Sequence, residues 1–325
     1  MTERVQYIDM AKGFAMITIV MLHISMSNLK GESALTINFF NHSFNTRLFF
    51  FLSGMVVALG GADFSNLKNT WNFGIKKTKT LLLPFVVWSV FIIPYIYERS
   101  DIHDFFRILV APFLPPYQDY WFLLYLYVVQ ILFLGIKMVS SHLLKLIKND
   151  FITELLVAAL LSVLLFRIYE YVLIFLLGYF LYRYGKRFLF SDFTLLIALL
   201  LFVTLFTLYR DHEQEITLYS RLAMAMAGIF AVVGIIRRLD VAFESNHRAC
   251  ILLRYIGRHS LEIYLLHYFF VWILRDVSIS VVYVHAIPLY VIIFIISIFI
   301  CLLCCCVADV MKKIPYVSLL LLGSR

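Results

Sequence analysis

Ten apolar stretches, each long enough to cross a bilayer, constrain this chain more than any other feature. They run at roughly 10–28, 44–62, 80–97, 120–138, 152–168, 170–184, 192–209, 219–236, 258–275 and 286–308. Hydrocarbon about 30 Å thick offers no water to backbone N–H and C=O groups, so a lone crossing segment must close its hydrogen bonds internally, as an α-helix does. The expected fold is therefore all-α: a polytopic transmembrane helical bundle of about ten spans. Only 15% of residues are charged, against about 25% in a soluble domain, so the apolar surplus faces lipid as well as a core. The first stretch lacks a small-residue cleavage site and reads as a retained span. No long polar linker, Gly/Ser tract, charge run or repeat interrupts the pattern, which predicts one domain over residues 1–325.

Charge then sets orientation. With the N-terminus placed in the cytoplasm, 20 of the 28 Lys and Arg residues fall in the loops on that side. They include Lys12, Lys76, Lys77, Lys79, Lys186, Arg237, Arg238, Arg254 and Arg258. The excess on one side is the positive-inside signature, and it predicts two cytoplasmic termini. The net charge of +8 is thus a topology signal, with no nucleic-acid partner implied. The outer loops, Glu98–Asp119 and Arg210–Arg221, mix acids, bases and aromatics. That composition suits carbohydrate contact and equally suits solvated loops with an interfacial aromatic belt.

Polar residues inside apolar spans carry the functional signal. Lys12 and His23 lie eleven positions apart in the first stretch, about three helical turns and roughly 16 Å along one face. If Lys12 stands at the membrane surface, His23 stands near the bilayer centre, where an ionisable group marks a functional site. Glu262 and His267 sit within the otherwise apolar ninth stretch and meet the same criterion. Other positions have two readings. His23 is a base or an interhelical hydrogen-bonding group, and Lys12 is a phosphate ligand or an interfacial anchor. Asp9 holds Lys12 at i, i+3 or lines the same site. Arg47 contacts a substrate or snorkels, and Ser53 with Gly54 contacts a substrate or permits close helix packing. Trp121 contacts a substrate or belongs to the aromatic belt. Cys301, Cys304, Cys305 and Cys306 read as small apolar filler, as does Cys250 in a cytoplasmic loop, with no disulfide framework and no metal site.

These residues resemble, in order and spacing, the acyltransferase-3 family of integral membrane acyltransferases, nearest to its fucose-4-O-acetylase-like branch. Asp9, Lys12 and His23 match the family's first-span pattern of Asp, a basic residue and His. Leu48 to Gly54 is similar to its Phe-rich, Ser-Gly second span, and Trp121-Phe122-Leu123 to its Trp-Phe-Leu element. Ser260 to His267 is similar to its Ser-Leu-x-Ile-Tyr-Leu-Leu-His element. The chain departs from near relatives at Asn45-Thr46-Arg47. The resemblance implies transfer of an acyl group, usually acetyl, from cytosolic acetyl-CoA to a hydroxyl of a cell-envelope glycan or lipid-linked sugar, in the bacterial inner membrane.

The residue chemistry fits that implication. A sugar hydroxyl needs a base near its proton, and histidine titrates near working pH, so His23 is the expected base, with His267 and Glu262 beside it or lining the cavity. The donor's phosphates call for cations at the cytoplasmic mouth, so Lys12, Lys76, Lys77 and Lys79 are the expected phosphate ligands of the donor site, with Asp9 holding Lys12 or lining that site. Arg47, Ser53 and Trp121 are the expected acceptor contacts, and lipid and substrates are the partners. The rival class is a transporter or glycan exporter, which would also use buried His, Glu and Lys. Such proteins commonly show two similar halves, and no such symmetry is visible here.

Overall fold

A computed structural model describes residues 5–61, 66–93, 120–147, 169–212, 215–243, 247–274 and 286–323, with residues 64, 107, 110, 113 and 279–280 besides. In chain order the principal helices are α1 (Gln6–Asn28), α2 (Glu32–Leu59), α3 (Leu67–Lys77), α4 (Leu83–Phe91), α5 (Trp121–Ile147), α6 (Tyr169–Tyr184), α7 (Asp192–Tyr209), α8 (Leu218–Ala242), α9 (Arg248–Arg258), α10 (Ser260–Ile273), α11 (Ala286–Met311) and α12 (Pro315–Leu322). The fold is all-α, with one two-residue parallel pairing of Leu29–Lys30 with Ile279–Ser280. Among the described residues, five helices are long and apolar enough to cross a membrane, and α10 is a shorter apolar helix. The expected fifth span, 152–168, and most of the loop 98–119 lie outside the described residues.

The helices gather into two compact units, residues 1–60 with 177–308 and residues 61–176 with 309–325. In the first, α1 is the hub, packed against α2, α8, α9 and α10. Most of it is buried, including Met10, Ala11, Ala15, Met16, Ile17, Val20 and Met21. Gly31 (φ 129°) reverses the chain between α1 and α2 in a conformation a side chain would strain. The closest approach is α1 against α9. A Cβ at Gly13 would strike the Leu253 carbonyl oxygen, and one at Gly257 would strike the Asp9 carbonyl oxygen. Two glycines therefore let the backbones touch. By contrast α7 exposes Phe193, Leu196, Leu200, Val203 and Leu208, an apolar surface suited to lipid. Its first turn is closed by Ser191, whose Oγ accepts from the Thr194 N–H at 3.0 Å.

In the second unit, a π-helical turn over Thr78–Leu82 joins α3 to α4. Proline lacks an N–H and clashes with the carbonyl four residues earlier. A wider turn just before Pro84 accommodates both, so the helical path continues past the proline. Trp88 donates its Nε1–H to the Leu321 carbonyl at 2.8 Å, tying α4 to α12.

Three expectations need correction. The second apolar stretch begins at residue 44, but α2 starts at Glu32. Its early amides lower the hydropathy yet face inward: Asn41 and Asn45 are buried, and Thr18 Oγ1 donates to Asn45 Oδ1 at 3.1 Å. The stretch that contains Cys250 is a helix, α9, with Cys250 buried in it. The ninth span is shorter than expected, because the chain breaks helical geometry at His259 before α10 begins.

Candidate functional site

His23 lies on α1 in the first unit, and α10 runs beside it. Three rings meet there. The His23 and His267 centroids are 5.1 Å apart, those of His23 and Tyr268 4.8 Å, and those of His267 and Tyr268 4.4 Å. Tyr268 Oη is 3.4 Å from His23 Nε2. His267 is fully buried, whereas His23 and Tyr268 are partly exposed. The cluster thus has an open side and a closed one.

The tautomer of His267 follows from its partners. Its Nδ1 stands 3.0 Å from the Ile263 carbonyl and 2.8 Å from the Tyr264 carbonyl. Carbonyls only accept, so Nδ1 carries the proton and Nε2 of the neutral ring is a lone-pair acceptor. Nε2 is buried with no hydrogen-bond partner among the described residues.

His23 lies toward the C-terminal end of its helix. α1 spans Gln6–Asn28, so His23 stands about 9 Å beyond the helix midpoint, nearer the Asn28 end. That end is fastened: Asn28 donates its amide to the Leu274 carbonyl at the close of α10.

The other end of α1 is basic. Arg258 Nε is 3.5 Å from the buried Asp9 carboxylate, and Arg254 donates to Gln6 Oε1. Lys12 is half-buried one turn beyond Asp9. The amphipathic α9 therefore brings two arginines to the end of α1 that the sequence assigns to the donor. Sequence reading used Arg254 and Arg258 only as topology markers. It also passed over Tyr268, whose hydroxyl faces His23.

The remaining candidates are spread out. Glu262 is buried in the first turn of α10, where a carboxylate suits the helix N-terminus. It is displaced from His267 by about 7.5 Å of rise and roughly 140° of rotation. Arg47 donates from Nη1 to the His42 carbonyl at 3.1 Å. The Thr18–Asn45 bond fixes the level of α2 against α1, and Ser53, eight residues on, stands about 12 Å toward the Asp9 end. In the second unit Lys76 and Lys79 are exposed, and the Lys77 ammonium lies 5.0 Å from the Phe73 ring centroid. Trp121 packs into an aromatic group with Tyr125 and Tyr171, at 5.2 and 5.7 Å. Among the described residues no cluster of His, Cys, Asp or Glu has the arrangement to hold a metal.

A family model described as an acyltransferase domain, that of acyltransferase-3, matches residues 5–306. The chain belongs to the acyltransferase-3 family. No curated protein and no solved structure matches it. Family membership makes this acyltransferase an enzyme that moves acyl groups, and its apolar helices make it an integral membrane protein. The choice between enzyme and carrier, open on composition alone, falls to the enzyme. The matched region takes in both ends of α1 and the whole of α10, so the ring cluster and the basic end belong to the acyltransferase domain itself.

Proposed function

We propose that this acyltransferase moves an acetyl group from cytosolic acetyl-CoA to a hydroxyl of a cell-envelope glycan or lipid-linked sugar in a bacterial inner membrane, as the fucose-4-O-acetylase-like branch implies. The observation that carries the reading is the layout of α1. A partly exposed imidazole backed by a second imidazole stands at one end. Lys12, Arg254 and Arg258 gather at the other, with roughly 16 Å of helix between Lys12 and His23. Cations at that end suit the donor's phosphates, and its extended pantetheine arm suits the separation. Lys76, Lys77 and Lys79 are further candidates for phosphate, and Arg47 and Trp121 for the acceptor.

The chemistry is acyl transfer. His23 takes the proton of the acceptor hydroxyl as its oxygen attacks the thioester carbonyl carbon. The tetrahedral intermediate collapses, the C–S bond breaks, and the proton passes from the imidazolium to the departing thiolate. The products are an O-acetyl ester and free CoA.

The test uses the full chain in lipid nanodiscs with labelled acetyl-CoA and envelope glycan from a strain lacking the gene. Free thiol should appear together with alkali-labile labelled ester on the glycan. Donor left intact, with no ester formed on any envelope fraction, would reject the reading.

A further inference from the structure

His23 has two ring nitrogens, and the structure treats them differently. Nε2 faces the Tyr268 hydroxyl at 3.4 Å. Nδ1 has no hydrogen-bond partner among the described residues, and the side chain is partly exposed. A neutral imidazole carries one proton, so the phenol faces either N–H or a lone pair. If the phenol donated to Nε2, the lone pair would be occupied and the edge away from the phenol would present Nδ1–H. An incoming hydroxyl would then find a donor where it needs an acceptor. In the opposite arrangement Nε2–H donates to Tyr268 Oη and Nδ1 offers its lone pair on the edge away from the phenol.

We propose that Tyr268 is a positioning residue that holds His23 in the Nε2–H tautomer, so that Nδ1 is the nitrogen that takes the acceptor's proton. This rests on the reading of His23 as the base. It adds the atom that does the work and the group that selects it. Proton transfer then balances simply: the substrate O–H bond breaks, an Nδ1–H bond forms, and the Nε2–H bond remains intact. The ring becomes an imidazolium, and its Nε2–H bond to the phenol oxygen becomes charge-assisted and shortens. A contact of 3.4 Å in the free protein suits that role, because hydrogen bonds at reacting groups are often long before substrate binds.

The neighbouring ring offers His23 no N–H of its own. His267 is fixed with Nδ1–H on two backbone carbonyls, which holds its ring beside both partners and leaves it no second donor. The Tyr268 hydroxyl is thus the described group that distinguishes the two nitrogens of His23.

Two measurements on the full-length protein in bilayers test this. Nitrogen-15 spectra of histidine-labelled protein, with the His23 signals identified by their loss in His23→Gln, should show a bare Nδ1 and a protonated Nε2. A protonated Nδ1 with a bare Nε2 would overturn the proposal without any variant of Tyr268 having to fold. Tyr268→Phe keeps the ring and loses the oxygen. It should lower kcat about ten- to a hundredfold, the equivalent of one hydrogen bond to a charged group, with the KM values for donor and acceptor unchanged. Wild-type kcat in Tyr268→Phe, or a loss confined to KM, would overturn the proposal. Normal transfer by His23→Gln would instead remove the base reading on which it stands.

Discussion

His23 and Lys12 occupy one helix and one face, and changing each should cause a different loss. Lys12→Ala should raise KM for acetyl-CoA about tenfold to a hundredfold, the value of one charge-assisted contact of about 1.5–3 kcal/mol, with kcat at saturating donor little changed. Isothermal or competition binding of CoA to the purified protein checks this, and unchanged affinity would return Lys12 to an anchoring role. Both residues were legible in the sequence because a charged group within an apolar run is rare and the spacing fixes the face. His267 was legible for the same reason. Tyr268 was not. The chain has 20 tyrosines, and tyrosine is common in membrane helices near the interface, so only its place against His23 Nε2 sets it apart. Ser53 is the converse case. It falls within a recognisable Ser-Gly element, but the antiparallel hairpin of α1 and α2 carries it toward Asp9, away from His23.

Among the elements, α9 was the least legible. Arg248, Arg254 and Arg258 lower the hydropathy of 248–258 and make it read as loop, yet their spacing leaves Cys250, Ile256 and Gly257 on a buried face. Its docking depends on two glycines, and no local pattern announces that Gly257 meets the backbone of α1 at Asp9. Gly257→Ala should therefore force the helices apart. Destabilisation of about 1–3 kcal/mol or more is expected for such overpacking, seen as a lower midpoint in detergent thermal unfolding. Gly135→Ala is the control: a methyl there meets nothing within 4 Å, and stability should hold or rise by up to about 1 kcal/mol from helix propensity. Equal effects of the two substitutions would contradict the close crossing of α1 and α9. Pro84 is the converse case: proline by itself breaks a helix, whereas the π turn over Thr78–Leu82 absorbs the missing N–H.

At the scale of the whole molecule, the all-α membrane fold follows from hydropathy alone, because hydrocarbon permits few alternatives. The division into two compact units does not show in the sequence, since both units draw on chain segments from distant positions and no linker marks the seam. Sidedness comes from the Lys/Arg count. Reporter fusions after Lys79 and Lys186 should read as cytoplasmic, and fusions at Asp104 and Glu213 as external. Reversal at any two of these sites would reject the ten-span arrangement.

The most direct measurement is acetyl transfer by His23→Gln at saturating acetyl-CoA, in protein shown to insert, fold and bind CoA as the wild type does. Glutamine keeps hydrogen-bonding capacity but takes no proton. With His23 as the base, the rate should fall by about 10²–10⁴. Near-wild-type transfer would show that His23 only packs the helices, and would move the search for the base to His267.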